Sequence, residues 1–186
     1  MQAVVGLGNS GRRYARTRHN MGFFVVNRLA DDLGSAWEEA PTYCLARAVC
    51  EDKPLLLAKP TTYMNSSGTA VVDVIERFDL ALEDVLVIVD DVHLDLGRLR
   101  FRRRGTHGGH NGLRSIIETI GASDFPRLRV GIGFPTEVST FIDYVLGEFD
   151  REEQDLVEQS VQTAIEGILC WLTQGLDVSM NRFNAA

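Results

Sequence analysis

Cysteine is scarce. Only 3 occur in 186 residues, Cys44, Cys50 and Cys170. Their wide, uneven spacing excludes a disulfide framework and the close-set pairs of a structural zinc site, so they read as buried thiols. No apolar run approaches the ~20 residues needed to cross a bilayer, and no charged stretch followed by an apolar one opens the chain as a leader would. A soluble, cytoplasmic protein with no membrane attachment is therefore expected. Internal repeats, low-complexity tracts and long polar linkers are also missing, which argues against solenoids and disorder. The length suits one domain over residues 1–186, with a sizeable core and no room for two.

Basic charge is in deficit overall, with 19 Lys and Arg against 26 Asp and Glu and a net charge of -7. That sum by itself speaks against a polyanionic partner, but distribution matters more than total. Arg98, Arg100, Arg102, Arg103 and Arg104 lie in one stretch without an acid, and Arg12, Arg13, Arg16 and Arg18 form a second cluster. The acids gather elsewhere, notably in DREEQDLVE (150–158). There they sit at the start of a predicted helix, where they favour the positive end of its dipole.

Apolar spacing predicts strands at 3–7, 43–49, 54–59, 85–89, 99–103 and 127–132, and helices at 23–33, 68–78, 112–120 and 151–174. VLVIV (85–89) is apolar on both faces, as a central covered strand should be. Strands interleave with helices, which predicts an α/β fold: a mixed, twisted β-sheet flanked by helices on both faces.

Ligand sites in such folds gather at strand carboxyl ends. Asn9 follows the first strand, Asn65 precedes a helix, Asp90 and Asp91 follow VLVIV, and His110 with Asn111 opens another helix. His19, in TRHNMGF, has no carboxylate close in sequence to steer its proton. Asp90 is the expected partner, and it is preferred to Asp91 because successive strand residues point to opposite sides. A carboxylate that orients an imidazole makes it a useful general base. Asn20, Asn65 and Asn111 also read as helix N-caps.

Two other chemistries are open at this level. GLGNSG (6–11) matches a dinucleotide-binding glycine pattern, but RRYARTRHN separates it from the next helix and no acid closes a following strand. A glycine-rich turn exposing Asn9 fits better. His107 and His110, with Asp90, Asp91 and His93, have metal-ligating side chains, yet H-x-x-H on a glycine-rich loop does not set two imidazoles on one helical face. Along LRFR, Leu99 and Phe101 alternate with arginine, so Arg98, Arg100 and Arg102 share a face suited to phosphates. The plainer reading of that pattern is a charged edge strand protected against pairing.

Four blocks carry a resemblance: VVGLGNSGRRYARTRHNMGF, KPTTYMNSSG, GTHGGHNGLRSI and RLRVGIG. In this order and spacing the chain resembles the bacterial-type peptidyl-tRNA hydrolases along nearly its whole length. The resemblance implies hydrolysis of the ester between a peptide and the 3′ terminal adenosine of tRNA, recycling tRNA from stalled translation. It implies His19 as base, Asp90 as its orienting carboxylate, and Asn9, Asn65 and Asn111 as groups holding substrate and water. Tyr14 and Met64 match positions lining the same cleft, His110 sits beside Asn111 in its loop as a further candidate for binding substrate, and Arg100, Arg102 and Arg129 match positions that grip tRNA phosphates. The partner implied is the acceptor stem and CCA end of peptidyl-tRNA, bound by a monomer with no metal or organic cofactor. Ser10, Val89 and His93 depart from the pattern, which commonly has proline, histidine and an acid at these places.

Overall fold

Seven strands are built where apolar residues alternate or run together: β1 (Gln2–Gly6), β2 (Trp37–Glu39), β3 (Tyr43–Cys50), β4 (Lys53–Pro60), β5 (Val85–Asp91), β6 (Leu99–Arg102) and β7 (Arg127–Gly131). Among the described residues six helices join them: α1 (Met21–Asp32), α2 (Ser67–Phe78), α3 (Asn111–Ile120), α4 (Phe141–Val145), α5 (Gln154–Gln174) and α6 (Leu176–Phe183). The computed structural model describes residues 1–134 and 141–184. One mixed sheet runs in the order β2-β3-β4-β1-β5-β7-β6. The inner strands β4, β1, β5 and β7 are parallel, and antiparallel strands close both edges.

β5 is buried along its whole length, as a strand covered on both faces must be. Its pleat divides the core. Leu86 and Ile88 enter the layer roofed by α1, α5 and α6, while Val85, Val87 and Val89 enter the layer under α2 and α3. Each such side chain contributes about 1.5–3 kcal/mol relative to exposure. The result is the expected α/β fold with helices on both faces.

Differences from the sequence reading are local. β5 continues two residues beyond Val89, through Asp90 and Asp91, because β7 still pairs with it there in the register Asp90 to Val130 and Asp91 to Gly131. β2, α4 and α6 are 3, 5 and 8 residues long, too short for a period to stand out. The predicted helix at 151–174 opens as a 3₁₀ turn before α5, with a reciprocal capping box between Asp150 and Glu153.

Candidate active site

The path to His19 starts at the glycines of GLGNSG. A Cβ on Gly6 would lie 2.2 Å from the Gly22 carbonyl oxygen, so only glycine lets α1 cross β1 this closely. α1 begins at Met21, well beyond the glycine turn, so no helix starts within the glycines as a dinucleotide site requires, and Asn9, which this turn was expected to expose, is buried instead. His19 lies on the 3₁₀ turn Arg18–Asn20 that leads into α1. Arg18 anchors this turn. Its backbone N–H donates to Gly147 O (2.9 Å), and its guanidinium donates to Glu153 Oε2 (2.8 Å) and to the Glu148 carbonyl while lying over Tyr144. Buried and committed in this way, Arg18 is not part of a free basic cluster, contrary to the sequence reading. The carboxylate it holds comes from the acidic segment before α5, whose acidity is thus structural.

At the carboxyl end of β5 the buried Asp90 carboxylate receives two imidazoles on one oxygen. His19 Nδ1 is 2.8 Å and His110 Nε2 3.0 Å from Asp90 Oδ1. An ionised carboxylate only accepts, so both nitrogens donate. His110 also accepts at Nδ1 from the Leu113 N–H (3.2 Å), as the N-cap of α3. His110 is therefore engaged at both nitrogens, in a neutral tautomer. Among the described residues His19 is engaged only at Nδ1, which leaves Nε2 with its lone pair. The two rings sit 5.1 Å apart.

The electrostatics follow from the same geometry. Burial alone would lower the pKa of His19, but the charge of Asp90 and its hydrogen bond outweigh burial and raise it. Burial likewise pushes the Asp90 carboxyl upward, and the two imidazoles overcome it, holding the group well below the usual carboxylate range. Asp91, on the other side of the pleat, meets different partners. Arg129 Nε is 2.9 Å from its Oδ2, a charge contact whose N–H is not directed at the oxygen, and its Oδ1 accepts from the His93 N–H.

A cleft of about 250 Å³ gathers His19, Asp90, His110, Asn111 and Arg129. Asn9 and Met64 adjoin it without lining it. Asn9 Oδ1 accepts from Met64 N (2.9 Å), and the sulfur of Met64 lies against Gly112, beside the His110 ring. Asn65 is exposed on the following 3₁₀ turn and Tyr14 is half-buried in the Gly11–Thr17 loop. Neither lines the cleft.

None of the three asparagines caps a helix. Asn20 accepts from Asn9 N (2.7 Å) at Oδ1 and donates to Asn9 O (3.0 Å) at Nδ2, so a contact across the loop replaces the cap and fixes the Asn9 backbone. Asn65 lies in its turn without a cap bond, and Asn111 is the first residue of a helix already capped by His110.

Arg100 and Arg102 lie outside the cleft on β6, directly across from Arg129 and Arg127 of β7. Among the described residues neither Arg100 nor Arg102 has an ion pair. Arg127 is different. It is buried over the Phe125 ring (4.0 Å) and donates to the carbonyls of Gly105 (2.7 Å), Ser123 (2.7 Å) and Phe125 (3.3 Å). Burial and the neighbouring Arg129 lower its pKa to about 10.

The donor atoms of His19, Asp90 and His110 lie within 4.8 Å of one another, a spacing that can chelate a cation. Both nitrogens, however, sit at hydrogen-bond distance from a single oxygen. Of the metal set weighed from sequence, Asp90 and His110 come together, while the rest is dispersed: His107 Nδ1 accepts from Gly109 N within its own turn, and Asp91, at the end of β5, accepts from the His93 N–H on the other side of the pleat. Sequence reasoning missed Phe141, Ile142 and Val145 as cleft residues, because α4 is too short to announce itself.

Comparison with known proteins matches residues 3–186 to the peptidyl-tRNA hydrolase family model. The peptidyl-tRNA hydrolase of Desulforudis audaxviator is 45% identical over 186 residues, covering 100% of this chain and 94% of that one. That of Desulforamulus reducens is 42% identical over 185 residues, covering 99% of this chain and 89% of that one. The crystal structure of the Acinetobacter baumannii peptidyl-tRNA hydrolase superposes with a TM-score of 0.93 at 36% identity, covering 100% of this chain and 95% of that one. A Campylobacter jejuni methylthioadenosine nucleosidase, at TM-score 0.54 and 14% identity over 94% of this chain and 99% of that one, shares the fold alone. Match along the full length, in both sequence and structure, makes this chain a member of the peptidyl-tRNA hydrolase family.

Proposed function

We propose that the protein hydrolyses the ester joining a peptide to the 3′ terminal adenosine of tRNA, with His19 as general base on water. The observation that carries the assignment is the asymmetry of the two imidazoles on Asp90: His110 is engaged at both nitrogens, whereas His19, among the described residues, keeps Nε2 free. Asp90 fixes the tautomer of His19 and stabilises the imidazolium formed as the proton leaves water. His110 is a positioning residue that holds Asp90 through the same oxygen.

An ester has a better leaving group than an amide, so an activated water with placed donors suffices and no serine or cysteine nucleophile is required. Asn9 is suited to be one such donor. Its backbone is held by Asn20 and its Oδ1 by Met64, which leaves its Nδ2 protons for a developing oxyanion. Asn111, at the mouth of the same cleft, and exposed Asn65 would hold water and the ribose end. Arg100 and Arg102, with Arg129 nearer the cleft, would grip phosphates of the acceptor stem. The protein would work as a cytoplasmic monomer, returning tRNA from aborted translation.

The test is release of N-acetyl-aminoacyl groups from tRNA, with and without a chelator. His19→Ala is expected to lower kcat by on the order of 10²–10⁴-fold while leaving the circular dichroism spectrum unchanged. Unaltered turnover refutes the assignment of the base. Tight tRNA binding by the wild type without any hydrolysis would instead make the protein a binding module.

A further inference from the structure

The cleft has a second half that this chemistry does not use. Beyond His19 and Asp90, its far wall is formed by Phe141, Ile142 and Val145 of α4, together with Val92 and His93 from the turn after β5. Phe134 supports this wall from behind. The Phe134 and Phe141 rings meet edge to face at 5.6 Å, and the His93 ring lies 6.3 Å from Phe134 and 6.4 Å from Phe141. These side chains are not core. Phe134 is 58% exposed, Phe141 52% and Ile142 65%, an apolar surface set beside buried polar groups.

We propose that this wall selects the side chain of the peptide's C-terminal residue, favouring apolar and aromatic ones. The inference rests on the peptidyl-tRNA hydrolase reading above and narrows its substrate. The scissile ester divides the substrate into a ribose-phosphate half and a peptide half, and the cleft is divided in the same way. Cations for phosphate lie on the β6–β7 side: Arg129, which lines the cleft with its charge set against Asp91, and Arg100 across from it on β6, just outside the cleft. Phe141, Ile142 and Val145 offer no charge to a phosphate, but they do offer dispersion and apolar burial to a side chain. An aromatic residue gains most, since it can bury ~150–250 Å² and pair edge to face with Phe141. His93 contributes a ring to this wall. An imidazole can join this ring cluster, whereas a carboxylate would bring a solvated charge to the wall.

The experiment uses the full chain and two substrates on one tRNA body, N-acetyl-phenylalanyl-tRNA and N-acetyl-glycyl-tRNA. The readout is the ratio of their kcat/KM values. For the wild type this ratio should favour phenylalanine by on the order of tenfold, as expected when one apolar group gains or loses a pocket. Phe141→Ala should bring it close to one, and His93→Asp, which leaves every ring of α4 in place, should move it in the same direction. A wild-type ratio near one, or a ratio unmoved in both variants, overturns the proposal. Equal losses on both substrates also overturn it, because they would assign the wall to the terminal adenosine common to both. If the wild type hydrolyses neither substrate, the functional reading itself fails; hydrolysis with an indifferent ratio removes this inference alone.

Discussion

Around Asp90 charge is buried and tied to two imidazoles, whereas across the neighbouring strands Arg100 and Arg102 hold theirs, among the described residues, without an ion pair. Proton transfer requires a base held in one tautomer and one orientation, and a buried charge is tolerated only when partnered. Gripping a polyanion requires the opposite, cations not yet neutralised. Arg127, directly opposite Arg102, shows that residue type does not decide between these roles. Buried and bound to carbonyls, it behaves like the Asp90 corner rather than like its neighbour.

Asp90→Asn should break the contrast most severely. An amide can donate as well as accept, so it neither enforces the Nδ1–H tautomer of His19 nor stabilises the imidazolium, and kcat should fall on the order of 10²–10⁴-fold. The pH profile supplies the sign. In the proposed mechanism His19 acts when neutral, and Asp90 raises its pKa, so wild-type activity should fall with decreasing pH through a midpoint above about 6.5. Without the carboxylate that midpoint should move downward. An unmoved acid limb of kcat/KM would detach His19 from Asp90. In stability the signs are likewise set. The depressed Asp90 pKa stabilises the fold above its unfolded value near ~3.9, and that stabilisation is lost as pH falls toward the folded value.

Next in size is Arg127→Met, which keeps volume but strands the carbonyls of Gly105 and Ser123. Urea unfolding should register a loss of roughly 2–4 kcal/mol. No measurable loss would place Arg127 with the free arginines instead.

Arg100→Ala and Arg102→Ala should leave kcat nearly intact and raise KM. Each should also reduce the salt dependence of KM by about one unit of log–log slope. Insensitivity of KM to both would make β6 a self-protecting edge strand.

The smallest effect is expected at Arg103, already paired with Asp177 at 2.6 Å on the surface. Arg103→Ala should change stability by less than about 1 kcal/mol and alter the salt slope less than Arg100→Ala does. A larger change in slope would mean that tRNA displaces Asp177.

Much of the fold was legible because the core elements repeat a strong local pattern. VLVIV announced a central strand, and the spacing in 68–78 and 112–120 announced helices beneath the sheet. β2, α4 and α6 were silent, being too short for periodicity, and with α4 went the apolar half of the cleft. The cap readings failed for a different reason. Asn20 could satisfy a local N–H, but the Asn9 backbone, 11 residues away, offers it both a donor and an acceptor. Arg18 looked like surface charge because the carboxylate that claims it stands 135 residues further on.

Local pattern therefore decided the α/β class, the elements long enough to repeat, and the residue types available for chemistry. It could nominate His19 and Asp90, yet 71 residues separate them, and nothing along that span fixes how one meets the other. Folding decided that. The order β4-β1-β5-β7 carries the end of β5 beside the entry to α1, and the pleat sends Asp90 to the imidazoles and Asp91 to Arg129. Strand order and facing are set by burial of two apolar layers at once, a requirement on the whole chain that no short segment contains.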